Sequence, residues 1–565
     1  MRRQSLAVAA LLGGLTSLPL MAVSYLGQQV AGLPFVPFDL FDWLARVLPG
    51  NVITVGIDTI VRVIQVFNLG PISNSAKRIE QSLGILLVIA GCAVIAMILA
   101  ALLRRVGWSG WQLGGIIGLL AALPLIVIEN SLAASSQSYQ PGVTWLWLLF
   151  LVAAWGACLG AALRRVETAA TPAPAASRQS TALQSFKPRP GEPAVLTRRQ
   201  LLAGLAAGSV GLALASWGLG RLFATQKGQS GAGQALSQLV PTAPQPGPSA
   251  TPIPLQTPVG ETPGAETMRG RVPAAPGTRP ELTPTDRFYR IDIDTLPPVM
   301  SQDTWELQVS GLFDHPRTLR LSDLLAFPAV TQPITLSCIS NPIGGALIST
   351  GNWTGPRLRD VMMSLGLRPE ARSLAITAAD GFYEAVEMAD IMDPRTLLVY
   401  GMNGDTLPVE HGYPLRIYIP NRYGMKQPKW IIAIAAIDHQ GPGYWVDRGW
   451  SAEARPQIIS IIDTVAKDHI ENGRVPVGGI AWAGDRGIQK VEVQVDDGPW
   501  DEAILRTPPL GPLTWIEWRY DWPAVRGRHT FRVRATDGAG ALQISTPADT
   551  YPDGATGYHS VTATI

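Results

Sequence analysis

Apolar residues fill long runs in the first 225 positions, and from residue 281 they come in short runs broken by polar residues and turns. The early runs lie at roughly 5–28, 82–103, 113–132 and 144–163. Each is close to the ~20 residues a helix needs to cross a hydrocarbon core. A fifth run, roughly 201–223, follows a polar, Pro-containing stretch. Residues 51–67 read differently. Asn51, Thr54, Asp58, Arg62 and Gln65 form one polar stripe at helical spacing, with Asp58 and Arg62 an i,i+4 pair. That pattern predicts an amphipathic helix lying on the outer membrane surface, not a span. After Thr283, runs such as Trp305–Val309, Leu374–Thr377 and Leu415–Ile419 read as strands, and helical patterns such as Leu358–Leu365 are short. This predicts α+β architecture. From residue 456 the pattern is all-β. Val491, Val493 and Val495 alternate with Glu492, Gln494 and Asp496 before an Asp497-Gly498 turn signal, and Thr530–Ala535 repeats the alternation before Asp537-Gly538. With Trp500, Trp515, Trp518 and Trp522 as candidate core side chains, the segment fits an immunoglobulin-like sandwich.

Composition sets the boundaries between these regions. Residues 167–197 are rich in Ala, Pro, Thr and Ser, and residues 225–280 in Pro, Gly, Thr and Gln; both read as disordered linkers. The expected organisation is therefore multi-domain. A membrane region, 1–166, carries four transmembrane helices; a cytoplasmic linker, 167–197, leads to a fifth at 198–224. An exterior tether, 225–280, joins an α+β domain, 281–455, and an all-β domain, 456–565. Arg2, Arg3, Arg104, Arg105, Arg164, Arg165, Arg198 and Arg199 fall on one side if the chain crosses five times. The positive-inside rule makes that side cytoplasmic and puts the C-terminal half outside the cytoplasmic membrane. Lys77 and Arg78 then stand outside, against the trend. Thr197-Arg198-Arg199-Gln200-Leu201-Leu202 resembles a twin-arginine export signal in an internal position. Basic anchors before a helix account for the dipeptide equally well, and the signal gains weight only if the exported domain receives a cofactor in the cytoplasm.

Lys and Arg number 45 and Asp and Glu 43, a balance that suggests no nucleic-acid partner. All six His lie at or after His315, so the membrane helices lack the imidazoles that hold haem. Anchoring is their default reading. Of three Cys, only Cys338 lies in the soluble half, which leaves no disulfide within that half. No Gly-rich phosphate loop of the P-loop or dinucleotide type is present, so NTP and NAD chemistry have no support.

Cys338 sits in Ile334-Thr-Leu-Ser-Cys-Ile-Ser-Asn341, after a strand-like run and before Gly344-Gly345. A lone Cys is more often a small buried hydrophobe than a metal ligand, and a thiolate needs a cation or metal beside it. Its company changes the balance: Asp286-Arg-Phe-Tyr-Arg290, Trp353-Thr-Gly-Pro-Arg-Leu358, Asp380-Gly-Phe382, Met402-Asn-Gly404, His411-Gly-Tyr-Pro-Leu-Arg416 and Tyr423-Gly-Met-Lys-Gln-Pro-Lys-Trp430. This ordered set, over about 281–565, resembles the sulfite oxidase family of molybdopterin enzymes, including exported bacterial members related to the periplasmic methionine-sulfoxide reductase catalytic subunit.

The resemblance implies Mo-molybdopterin as cofactor and Cys338 as its metal ligand and catalytic residue. It implies Arg416 and Lys429 at the pterin phosphate, His411 hydrogen-bonded to the cofactor, and Phe288, Tyr289 and Arg290 in the segment that leads into the site. Asp380 and the loop carrying Gly424, Lys426, Gln427 and Lys429 complete the implied binding set. Outside the resemblance, Arg416 and Lys429 read as a solvated strand face and His411 as a satisfied turn histidine. Two departures stand out. Ile339-Ser340-Asn341-Pro342-Ile343 follows the Cys where sulfite-oxidising members have Gly-Asn-Arg-Arg, and Ile291-Asp292 replaces a common Asn-His. Arg290, Arg448 or Arg359 are the candidates to replace the missing arginines. The implied reaction is two-electron oxygen-atom transfer on a small molecule, either a sulfite-like oxyanion or a sulfoxide. Electrons would pass to or from a separate carrier, quinone-linked or a cytochrome. The last domain resembles the family's dimerisation domain, which makes a homodimer an expectation. A non-catalytic, membrane-tethered Ig-like binding protein also explains the anchor, tether and sandwich, but it leaves the Cys338, His411, Arg416 and Lys429 series unexplained.

Overall fold

A computed structural model describes residues 6–67, 72–133, 141–169, 198–228 and 271–565. The chain forms two compact units, Met1–Val47 with Arg78–Ser230, and Leu48–Lys77 with Gly231–Ile565.

The first unit is helical: α1 (Leu6–Ala31), α2 (Val36–Val47), the greater part of α4 (Ile72–Leu103), α5 (Gly110–Ala133), α6 (Pro141–Ala169) and α7 (Arg198–Gly228). Among the described residues four helices, Leu6–Ala31, Ser75–Leu103, Gly110–Leu132 and Pro141–Glu167, are long and apolar enough to cross a membrane. Small residues let α5 and α6 pack backbone to backbone. A Cβ on Gly114 would collide with the Gly156 carbonyl, and one on Gly160 with that of Gly110. That is how helices associate where burial from water gives no drive. The fifth expected span forms as helix α7; its fully described apolar stretch is Ala203–Ser216, and the side chains immediately on either side of that stretch fall outside the described residues. The Arg198 and Arg199 side chains and the central parts of both linkers fall outside the described residues.

The second unit takes in α3 (Gly50–Phe67). The side chains of its expected polar stripe lie outside the described residues. The region spanning residues 281–455 is α+β. Its main sheet has the order β2 (Thr318–Leu319), β1 (Leu307–Gly311), β11 (Ile431–Ile437), β5 (Ser373–Ala378), β6 (Tyr383–Glu387). Only the β1–β11 pair is parallel. Leu307, Val309, Leu374, Ile376 and Ile434 bury one face of this sheet, and Leu358, Val361 and Met362 of the short helix α9 (Leu358–Ser364) close the same core. The helices α8 (Leu321–Leu325) and α10 (Met388–Met392) contribute Leu324 and Ile391. A second sheet orders β3 (Ala329–Ser337), β4 (Ile348–Pro356), β8 (Gly401–Met402) and β9 (Asp405–Thr406), and β7 (Leu397–Val399) pairs with β10 (Arg416–Tyr418).

The C-terminal region is two four-stranded antiparallel sheets. One orders β12 (Ile459–Val465), β13 (Arg474–Trp482), β17 (Ile516–Pro523) and β16 (Ile504–Leu505). The other orders β15 (Trp500–Glu502), β14 (Ile488–Val495), β18 (Arg528–Asp537) and β19 (His559–Thr564). Val477, Val491, Val493, Trp518, Phe531 and Val533 meet in their common core, as the alternation predicts.

Three expectations need correction. Trp500 is not a core residue. It pairs across the ladder with Gln494, and facing residues of an antiparallel pair share a side, so it points outward, with the Arg534 guanidinium 4.2 Å from its ring centroid. Trp515 is buried, but in a separate cluster with Ile339, Met425, Trp450 and Trp482 that joins the preceding α+β region to the C-terminal sheets. Finally, the tether ends early. Residues 271–280 pack on the β region: Ala275 is buried, Arg271 pairs with Glu281, and Arg279 meets Asp463 at 2.6 Å.

Candidate active site

Strand β3 delivers Cys338 and holds it in place. Its ladder with β4 closes at the cysteine itself, whose N–H donates to the Leu347 carbonyl at 2.9 Å. On its other edge, Thr335 N–H donates to Leu513 O at 3.0 Å, and Trp515 N–H donates to Thr335 Oγ1 at 2.8 Å. The loop that follows is fixed by Asn341, whose Oδ1 accepts the Leu347 N–H at 2.9 Å. The asparagine retained from the family pattern is therefore structural. Ser340 Oγ lies 3.0 Å from Cys338 Sγ. Burial pushes the Cys338 thiol pKa up, so the thiolate needs a metal to stabilise it. Among the described residues no three His, Cys, Asp or Glu converge as a protein-only metal site. A metal held by Cys338 must bring most of its ligands with it.

The second cluster comes from the 409–430 segment. His411 ends a 3-10 turn (Val409–His411), Arg416 opens β10, and Lys429 precedes β11. Gly412 has φ of +114°, and a Cβ there would lie 3.0 Å from the Cβ atoms of both Arg416 and Lys429. Gly412→Ala is expected to cost about 1–3 kcal/mol of stability, which thermal denaturation would measure. Arg416 is buried. One terminal N–H donates to the His411 carbonyl at 3.0 Å, the guanidinium lies 4.8 Å from the Trp353 ring centroid, and its Nε has no partner. No carboxylate pairs with it among the described residues. Burial lowers its pKa to about 10, which leaves it charged. Phe288 packs edge-on against both Trp353 and His411, and Tyr289 stacks beside Phe288. Burial, then the charges of Lys429 and Arg416, lower His411 to about 3, so its imidazole is neutral at physiological pH.

Asp292 organises the neighbouring cations. Its buried carboxylate accepts Arg290 Nε–H at 2.7 Å and Lys429 Nζ–H at 2.8 Å. Burial alone would raise its pKa, but Lys429, Lys77 and Arg290 outweigh that and hold it well below the usual carboxylate range. Burial lowers Lys429 to about 8. Asp380 accepts the Phe382 N–H at 3.0 Å, and burial followed by the charge of Asp294 raises it to about 7.

These groups share one pocket of about 890 Å³, its open mouth included. Cys338, His411, Arg416 and Lys429 line it, as do Phe288, Tyr289, Arg290 and Asp380, and Gly424 and Gln427 from the loop after β10. Lys426 is the exception. Its ammonium is buried against Glu384 at 2.8 Å and does not line the pocket. The N–H groups of Lys426 and Gln427 are used inside their own turn, donating to Tyr423 O and Gly424 O. Sequence reading missed Ile57, Ser340, Met425, Trp445 and Trp450, all of which line the pocket. The aromatic-rich Tyr444–Trp450 run was the available signal for two of them.

The polar groups fit a pterin phosphate. A buried guanidinium without a carboxylate is costly unless an anion meets it, and Gln427 Oε1, a buried acceptor without a partner, could take an N–H of the pterin. Comparison with known proteins points the same way. The family model for an oxidoreductase molybdopterin binding domain matches residues 294–445. The uncharacterized oxidoreductase YuiH of Bacillus subtilis is 30% identical over 187 residues, covering 33% of this chain and 89% of that protein. Sulfite oxidase of Arabidopsis thaliana is 27% identical over 281 residues, covering 40% of this chain and 71% of that protein. The putative protein-methionine-sulfoxide reductase subunit YedZ1 of Azospira oryzae is 30% identical over 148 residues, covering 26% of this chain and 55% of that protein.

Proposed function

This chain belongs to the sulfite-oxidase-like family of molybdopterin-dependent oxidoreductases and uses Mo-molybdopterin; from that premise we propose that it reduces a neutral, sulfoxide-type substrate outside the cytoplasmic membrane, with Cys338 as the protein ligand to molybdenum. The family assignment sets aside the non-catalytic binding module. When bound, the cofactor supplies two-electron oxygen-atom transfer. The residues supply the rest. Arg416, with its planar fork, and Lys429 would hold the phosphate end. His411, neutral, would hydrogen-bond the pterin, and Cys338 would close the metal shell.

The observation that carries the substrate reading is the state of the arginines. Sulfite is a dianion near neutral pH and needs cationic donors. Arg290 is bound to Asp292. Arg448 lies over the Tyr444 ring at 3.6 Å and donates to the Tyr444 carbonyl at 2.7 Å. Arg359 is paired with its neighbour Asp360 and is absent from the pocket lining. The rest of the wall includes Phe382, Met425, Trp445 and Trp450, which suit an apolar neutral molecule.

Reduction of a sulfoxide consumes two electrons and two protons and releases a sulfide and water. Asp380, raised to about 7, keeps a proton at pH values where an ordinary carboxyl has lost it. Its donor form dominates below about 7 and is lost above. The sulfoxide reduction rate is therefore expected to fall as pH rises through that value, and Asp380→Asn to be slower and to lack this limb. An unchanged profile in the variant removes Asp380 from proton delivery.

The direction is tested on the purified, cofactor-replete chain in detergent. Oxidation of a reduced dye by a panel of sulfoxides is expected; faster dye reduction by sulfite would reverse the reading. The electron donor is read as a separate carrier, quinone-linked or a cytochrome. The run of arginines before and after the helices supports an exterior catalytic half, and a folded, cofactor-loaded cargo gives the internal Arg198-Arg199 pair its export role. Residues 456–565 are read as an Ig-like dimerisation domain. Sedimentation of the solubilised chain tests that, and a monomer at assay concentrations would refute it.

A further inference from the structure

Helix α3 lies in sequence between the first two membrane-length helices, yet it belongs to the folded unit of the catalytic half. Its residues sort by face. Ile53, Ile57, Ile60 and Ile64 follow i, i+4, i+7 and i+11 spacing and are half-buried or buried, whereas Val52, Val55, Thr59, Val63 and Phe67 are exposed. Ile57, on the covered face, lines the same pocket as Cys338, Met425, Trp445 and Trp450. Two further points fix this excursion of the chain. Gly50 approaches the Arg448 carbonyl so closely that a Cβ would collide with it. Lys77, buried, donates from Nζ to the carbonyl oxygens of Asp292 at 3.1 Å and Asp294 at 3.0 Å. Asp292 is the carboxylate that holds Arg290 and Lys429 in the pocket wall.

We propose that α3 is a wall of the active site supplied by the membrane half of the sequence, with Ile57 limiting the size of substrate that reaches the metal side of the pocket and Lys77 positioning the 292–294 segment against it. The size claim rests on the sulfoxide reading above; the placement of Ile57 does not. An aliphatic side chain in the wall discriminates by volume alone, and one extra or missing methylene in such a pocket shifts selectivity by roughly 10–200-fold.

The test uses the full-length holoenzyme in detergent. With p-benzoylphenylalanine at position 57, illumination is expected to cross-link the helix to peptides containing Phe288–Ile293 or Trp445–Trp450. The same probe at Val55, on the exposed face, should give neither. Cross-links from position 57 found only within residues 6–47 or 78–133, or none at all, overturn the proposal. In kinetics, Ile57→Ala should raise kcat/KM for benzyl methyl sulfoxide relative to dimethyl sulfoxide by about tenfold, at unchanged molybdenum content, and Ile57→Trp should lower it. An unchanged ratio in both variants also overturns it. An enzyme that reduces neither sulfoxide defeats the substrate reading, and the cross-link then decides the placement by itself. Lys77→Gln should speed hydrogen exchange across residues 290–294, with Lys77→Arg restoring protection; equal exchange in both removes Lys77 as a positioning residue.

Discussion

Replacing Cys338 with serine is expected to reduce turnover by at least about a thousandfold, or about 4 kcal/mol of transition-state stabilisation, in a chain that still folds. The substitution is nearly isosteric. The backbone bonds that seat the residue, from its N–H to Leu347 O and from Asn341 N–H to its carbonyl, do not involve the sulfur. What is lost is a soft donor. A serine hydroxyl keeps its proton in this buried position, where even the thiol pKa is raised, and it is a poor ligand for a metal that already carries sulfur. Activity assays with thermal melting and metal analysis check the result. A variant that keeps a tenth of wild-type turnover would mean that the sulfur is not in the metal's shell.

Arg416→Ala is expected to cost the cofactor. Arg416 is buried, uses one terminal nitrogen on the His411 carbonyl, and makes no direct ion pair with a carboxylate among the described residues. A charge-assisted hydrogen bond to a phosphate contributes about 1.5–3 kcal/mol, and a forked guanidinium can make more than one. Loss of the side chain should therefore weaken pterin binding by about a hundredfold or more, and the isolated protein should be largely free of molybdenum. Because the lost cation leaves no buried carboxylate unpaired, the fold should survive, with the melting temperature lowered mainly by the face of Trp353 losing its contact. Arg416→Lys should retain part of the metal, since it restores the charge but not the fork. Full molybdenum occupancy in Arg416→Ala would place the phosphate elsewhere.

The order of motifs along the chain named most of the side chains that the fold brings to one pocket, because each sits at a point the fold cannot vary freely. Cys338 directly follows Ser337, the last residue of β3. His411-Gly412 is a turn that only glycine can make so close to Arg416 and Lys429. Strand alternation likewise located Val491, Val493 and Phe531 in their core. Three features were beyond sequence reading for physical reasons. A charge on a lysine does not say which carboxylate it will meet, so Lys426, bound to Glu384, looked the same as Lys429, bound to Asp292. Trp500 lies on a short strand whose facing register, opposite Gln494, is set by the turn and not by its own hydrophobicity. Ile57 and Lys77 stand more than 200 positions before the residues they join, in a stretch whose pattern reports only that one helical face is covered, not by what.

Molybdenum K-edge X-ray absorption on the wild-type chain and on Cys338→Ser is the most direct measurement of the central claim. The wild-type shell should contain the pterin sulfurs plus one more, and the variant, still metal-loaded, should lose one sulfur scatterer and gain none. An identical sulfur shell in the two proteins would contradict ligation by Cys338.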